Sequence, residues 1–219
     1  MNKQQIREEI AACARRLEQL GLINLFEGNI SVCVDRTIFI TPSQQDKSQM
    51  TAEQILTLDM DGNLLEPSDY RPSSEWKMHR EIYRLRPDAG AVVHHHGPFA
   101  SAFAMAGKEL DASQMPEALV LLGNIPVTDY GRPSTEDVYK DFCQYFCDER
   151  HDVLLLGNHG LVSVGADLQL ACARAEEGEK VAKVFWLTRA LGGFRPLPPG
   201  ESALLAAYAQ GLRAQAPKE

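Results

Sequence analysis

The chain has 219 residues, 44% hydrophobic and 24% charged, which is ordinary globular usage. Its formal net charge is −8 with no dense Lys/Arg stripe, which argues against nucleic acid as a partner but leaves room for a phosphate held by a few local donors. No apolar run reaches the ~18 residues of a membrane helix, and the charged start MNKQQIREEI has no apolar signal-peptide region, so neither membrane nor export is expected.

Residues 2–20 carry Ile6, Ile10, Cys13, Ala14 and Leu17 at helical spacing and stop at Gly21. Residues 30–35 and 37–41 read as strands meeting at an Asp-Arg pair, like a hairpin. Residues 55–60 alternate and end at the turn Asp61-Gly62-Asn63. Pro72-Ser73-Ser74-Glu75 opens a helix, with a serine as its N-cap, that stops before Pro87. Residues 91–96 read as a buried strand, 98–106 as a short helix, 118–127 as a strand and 134–150 as an amphipathic helix. Two buried strands, 153–156 and 161–164, flank Gly157-Asn158-His159-Gly160. Asp167 caps a long helix to about Leu191, and a Pro/Gly segment precedes a last helix over 201–213. No repeat, low-complexity tract or long linker interrupts this order, so residues 1–219 read as one domain. The many short strands predict a mixed or antiparallel sheet covered by helices, not a parallel wound fold.

A chain of this size buries roughly 70% of its unfolded surface and needs no disulfide framework. Its five cysteines, Cys13, Cys33, Cys143, Cys147 and Cys172, are odd in number and form no CxxC pair. That favours a reducing, cytoplasmic compartment. Cys143 and Cys147, four apart, read as one face of a packed helix.

The histidines carry the chemistry. On a strand, residues two apart share a face, so His94 and His96 point one way and His95 the other. Two such imidazoles can both reach one metal ion at about 2.0–2.1 Å. His159, at the bend between two apolar strands, offers a third ligand. Three protein ligands with an open position mark a catalytic zinc rather than a structural one. His95 then reads as a structural histidine, His151 as a solvated helix cap, and His79 as a helix-face residue able to support the site from behind. A serine N-cap at Ser73-Ser74 leaves N–H groups and the positive helix end for an anion, with Glu75 beside it. Gly28-Asn29 permits positive φ and free amide donors before a strand.

In chain order, Gly28-Asn29-Ile30-Ser31, Ile40-Thr41-Pro42-Ser43, Pro72-Ser73-Ser74-Glu75-Trp76, Val92-Val93-His94-His95-His96 and Asn158-His159-Gly160-Leu161 resemble the class II aldolase/adducin family, over about residues 5 to 190. The resemblance implies a three-layer α/β/α fold with a mixed, mostly antiparallel central sheet. It also implies a cyclic homotetramer with active sites between subunits. It implies zinc, with manganese or cobalt as substitutes, on His94, His96 and His159, and Glu75 completing the metal shell before acting as acid/base. Gly28, Asn29, Ser43, Ser73 and Ser74 would hold the phosphate of a sugar-phosphate substrate. The activity implied is cleavage of a ketose phosphate through a metal-stabilised enediolate. Epimerisation, dehydration and decarboxylation share that chemistry. A non-catalytic adducin-like scaffold would have no use for three metal histidines. Three departures point away from L-fuculose 1-phosphate. Gln44 stands where the family has glycine. Met115-Pro116-Glu117 stands where the fuculose enzyme has a tyrosine. Tyr208 lies two positions from a second family tyrosine. Glu117 is a candidate second acid/base, and reads equally as a surface glutamate opening a strand.

Overall fold

A reciprocal cap opens the chain: the Asn2 side chain accepts from the Gln5 N–H, and the Gln5 side chain accepts from the Asn2 N–H. The computed structural model describes residues 2–148 and 151–215. Helix α1 (Lys3–Gln19) buries Ile6, Ile10, Ala14 and Leu17. Strands β1 (Asn29–Val34) and β2 (Thr37–Ile40) join through Asp35 and Arg36. Both take left-handed φ, 48° and 60°, the pairing that makes a two-residue turn follow the strand twist. β3 (Leu56–Leu58), α2 (Trp76–Leu85), β4 (Ala91–His95) and α3 (Pro98–Met105) follow, then α4 (Pro116–Leu122), β5 (Val127–Tyr130), β6 (Val153–Gly157) and β7 (Gly160–Gly165). Asp167 caps α5 (Leu168–Ala190) by accepting from the Leu170 N–H at 2.7 Å, and α6 (Glu201–Gln215) closes the order. Among the described residues, no helix is long and apolar enough to cross a membrane.

The seven strands form one sheet in the order β3-β2-β1-β4-β7-β6-β5. Every neighbouring pair is antiparallel except β5 with β6. Alternation sorts the side chains into two buried layers. Ile30, Val32, Phe39, Ala91 and Val93 pack against α1 and α5. Ile38, Ile40, Val92, Leu154 and Val162 pack against Met78 and Ile82 of α2 and against Phe142 and Phe146. A third cluster sets α3 and α4 against Val153, Leu155 and Leu161 on the α5 side. The result is helices on both faces of a mixed sheet. Its register puts Asn29 opposite His94, and His94 opposite Val162.

Four expectations are corrected. Residues 118–127 are not one strand: 118–122 belong to α4, which starts at Pro116, and only Val127 begins β5. A short apolar run does not reveal its period, and proline at the first helical position decided the outcome. Residues 134–148 form a 3-10 turn (Glu136–Val138) and a π-type turn (Gln144–Asp148) in place of a regular helix; residues 149–150 lie outside the described chain. Val138, Phe142 and Phe146 still reach the core, with the Phe142 and Phe146 rings edge-on at 5.3 Å, so aromatic packing set the local path. Cys143 is consequently exposed. The N-cap of α2 is Glu75 and not a serine. Finally, Cys13 and Cys172 form a disulfide between α1 and α5, across 159 residues. Spacing along the chain carries no trace of such a pair, which arises because both helices cover the same sheet face.

Candidate metal centre

Strand alternation delivers the histidines. His94 projects toward α2, while His95 projects to the α5 side, where its Nε2 meets the Ala175 carbonyl at 3.2 Å and its Nδ1 accepts from the Gly97 N–H at 2.9 Å. His96 follows the end of β4, and His159 lies in the tight turn before β7. Gly160 makes that approach possible: a Cβ there would run into the His95 carbonyl and stand 3.0 Å from the His96 ring and 3.3 Å from the His94 ring. Glu75 comes from the N-cap of α2.

These four side chains each offer one donor atom, all within 4.8 Å of one another. The His94 and His96 Nε2 atoms are 2.8 Å apart; Glu75 Oε2 is 3.3 Å from His94 Nε2, and Oε1 is 3.5 Å from His159 Nε2. The imidazole centroids form a triangle with 4.7 Å sides. Ligands held at about 2.0–2.1 Å around a tetrahedral ion stand about 3.3 Å apart, so this spacing fits one divalent cation. His94 Nδ1 donates to the Leu161 carbonyl at 2.9 Å, which leaves its Nε2 lone pair facing the cluster. Among the described residues, Glu75 Oε1 is buried without a hydrogen-bond donor, an orphan that a cation would satisfy.

The electrostatics agree. Burial, reinforced by the His94 imidazole, pushes His96 down to about 3 and His159 down to about 4. Both rings are therefore neutral at neutral pH, the form in which an imidazole binds a metal. Burial by itself raises the Glu75 carboxyl, but His94, His159 and the Asn29 amide outweigh it and hold that group well below the usual carboxylate range.

Around the cluster, three segments meet. Gly28 has φ +78°, and a Cβ there would collide with Ile23 and stand 3.1 Å from the His94 carbonyl. Thr41 Oγ1 accepts from the Ile30 N–H at 3.1 Å, the Ser73 N–H donates to the Thr41 carbonyl at 3.2 Å, and the Ser43 N–H donates to the Arg71 carbonyl at 2.8 Å. Residues 28–30, 41–43 and 71–74 thus form one backbone-locked patch beside Glu75. Ser73 is buried; Ser74 is exposed and bonded to Ser134 at 3.0 Å. Gln44 is exposed with φ +53°, the left-handed conformation that glycine adopts freely. Glu117 is exposed in the first turn of α4, not at a strand start, and lies outside the cluster.

The sequence profile of the Class II Aldolase and Adducin N-terminal domain matches residues 8–186. The chain belongs to the class II aldolase and adducin family. Within it, the chain is an aldolase-type lyase. It is similar to a 5-deoxy-D-ribulose 1-phosphate aldolase of Bacillus thuringiensis serovar kurstaki, 32% identical over 215 residues that span 97% of this chain and 99% of that one. A 3-oxo-tetronate 4-phosphate decarboxylase of Escherichia coli K12 is 30% identical, over 89% of this chain and 91% of that one. Among solved structures, an L-fuculose 1-phosphate aldolase superposes with a TM-score of 0.84 at 28% identity, covering 94% of this chain and 96% of that one.

Sequence reasoning on this class II aldolase named His79 as a support from behind but missed the bonds that link it to Glu75. His79 is fully buried, with Nδ1 at 2.7 Å from Ser31 Oγ and Nε2 bonded to Asn29 Oδ1. Asn29 Nδ2 donates to Glu75 Oε2 at 2.9 Å, and Tyr83 OH lies 2.7 Å from Ser31 Oγ. The available signal was the spacing of Glu75, His79 and Tyr83, each four residues apart on one helix face.

Proposed function

We propose that the chain is a zinc-dependent aldolase that cleaves a ketose 1-phosphate. The observation that carries this reading is the cluster itself: three imidazoles and one carboxylate, with donor atoms within 4.8 Å of one another. His94, His96 and His159 would hold the ion, and manganese or cobalt suits the same donors. A divalent cation supplies Lewis-acid stabilisation of the charge that builds on substrate oxygens as a carbon–carbon bond breaks. Glu75 relays the proton, taking it from the departing hydroxyl and returning it to the carbon left behind. The Ser43, Ser73 and Ser74 hydroxyls, with the main chain at Gly28 and Asn29, hold the phosphate beside the positive end of α2. Glu117 would serve as a second acid/base only across the contact between copies in a homotetramer.

The near-complete span of the Bacillus relative makes 5-deoxy-D-ribulose 1-phosphate the first substrate to assay. Cleavage between C3 and C4 would release dihydroxyacetone phosphate and acetaldehyde. Charge-assisted hydrogen bonds contribute roughly 1.5–3 kcal/mol each, so two of them imply at least about a hundredfold preference in kcat/KM over the free sugar. The assay should lose its signal on chelation and recover it with zinc. Equal efficiency on the free sugar would remove phosphate from the reading. The similarity to the tetronate-phosphate decarboxylase supports a second reading, which carbon dioxide release from 3-oxo-tetronate 4-phosphate, without turnover of the ketose phosphate, would establish instead.

A further inference from the structure

We infer that His79 is a positioning residue for Glu75, acting through Asn29, and that the Asn29 side chain serves this relay rather than the phosphate. The inference rests on the reading of Glu75 as the acid/base. Two periodicities build the relay. Asn29 and Ser31 are two apart on β1 and share a face, while Glu75, His79 and Tyr83 are four apart around α2 and share a face. The two faces interlock, and every member is buried: Asn29 4%, Ser31 0%, Glu75 8%, His79 0% and Tyr83 7% exposed.

The bonds admit one direction. Asn29 meets a carboxylate oxygen at 2.9 Å, and a carboxylate only accepts, so the amide nitrogen faces Glu75 and the amide oxygen faces His79. His79 Nε2 therefore carries the hydrogen it donates to Asn29 Oδ1. Its Nδ1 is then the bare nitrogen and accepts from Ser31 Oγ, which in turn accepts from Tyr83 OH. The series of donors ends on Glu75 Oε2. A flipped Asn29 would set its amide oxygen against the carboxylate and its amide nitrogen against the Nε2 hydrogen, so His79 in this tautomer disfavours the flip. Elsewhere this helix–sheet layer is apolar, with Ile38, Ile40, Met78, Ile82 and Val92. A polar ladder there is costly unless fully bonded, and it terminates on the carboxylate that faces the histidine cluster.

The test uses the full-length, zinc-loaded chain with His79→Leu, His79→Gln, Asn29→Leu and Glu75→Gln variants, assayed on 5-deoxy-D-ribulose 1-phosphate. Zinc content after dialysis and calorimetric binding of inorganic phosphate are measured alongside. Loss of a supporting hydrogen-bond partner of this kind costs about 10–100-fold in activity. His79→Leu and Asn29→Leu should therefore lower kcat by that much, with zinc retained and with KM and the phosphate Kd within about twofold of the parent. The His79→Gln amide can donate to Asn29 and should restore most of the lost kcat. Asn29→Leu that weakens phosphate binding while keeping kcat would overturn the inference, as would equal loss of kcat in His79→Leu and His79→Gln. Should His79→Leu fail to fold, Asn29→Leu decides by the same split between kcat and phosphate Kd. The failure modes separate: full turnover in Glu75→Gln removes the underlying reading, whereas an inactive Glu75→Gln beside unimpaired His79 and Asn29 variants removes the relay alone.

Discussion

Glu75 meets two opposed demands. Burial disfavours its charge, yet the neighbouring His94 and the Asn29 amide hold its carboxyl low, and one of its oxygens has no donor among the described residues. Glu75→Gln removes the charge and keeps the shape. With His94, His96 and His159 left in place, the variant should retain its metal while turnover falls about 10²–10⁴-fold, as for loss of a general acid/base; parallel metal analysis and steady-state kinetics check both halves. The neighbouring histidines separate by face. His94→Ala should strip the metal. His95→Ala should keep it but lose about 1–3 kcal/mol of stability, because the Gly97 N–H and the Ala175 carbonyl lose their partner. Metal lost from His95→Ala and kept in His94→Ala would reverse the assignment of the strand faces. Gln44 tests backbone strain. A non-glycine residue in the left-handed region costs about 1–2 kcal/mol, and glycine gives back about 0.5–1 kcal/mol through its freer unfolded chain. Gln44→Gly should therefore leave the urea midpoint unchanged or slightly raised, and the phosphate preference intact. A clear drop in either would mean that the exposed amide makes a contact of its own.

At the scale of elements, the turn between β6 and β7 is as much a part of the candidate site as β4, which carries His94 and leads into His96. Gly160 lets it come within contact of the His95 carbonyl and the His94 and His96 rings. Gly160→Ala should push β7 from β4 at that end and lower metal affinity at least about tenfold, by analogy with other misplaced supports of a metal site. Metal titration with a chromophoric chelator reads this directly, and unchanged affinity would mean that the turn gives way without moving His159. How far the sequence could be read follows the same geometry. Elements with local signals were legible: the helix ending at Gly21, the hairpin at Asp35-Arg36, the cap at Asp167, and the face shared by His94 and His96. Short apolar runs without a period were not, so α4 read as a strand. The 134–150 stretch showed helical spacing because its aromatics reach one core, but ring packing took precedence over helical bonding. His79, Asn29 and Ser31 were individually visible as residue types. Their alliance exists only because α2 packs against β1, a contact that no single segment encodes.

For the whole molecule, the buried histidines outside the donor set link stability to acidity. Burial, with the nearby His94 imidazole, pushes both His79 and His95 from the ordinary 6.5 down to about 3. Both rings are thus neutral in the folded chain, whereas the unfolded chain protonates them below about 6.5. The unfolded state then binds more protons than the native one, so stability is full above that value and declines as the pH falls toward 3. At pH 5 the loss is about 2 kcal/mol per histidine, from 1.36 kcal/mol per pH unit over about 1.5 units. Carboxylates held low by their partners, such as Glu66 and Asp59, lose their contributions mainly below about pH 4.5, so the decline from pH 7 to 5 comes mainly from the buried imidazoles, with His96 and His159 of the metal-free cluster among them. For a chain of this size, each 2 kcal/mol corresponds to a Tm drop of about 4–8 °C. Thermal melts of chelator-treated protein at pH 7, 6 and 5 should show that decline, and His79→Gln should remove one histidine's share of its slope, because its amide does not titrate. A Tm that stays level across the interval would mean that both rings titrate in the fold as they do in water, and that their burial costs the charged form nothing.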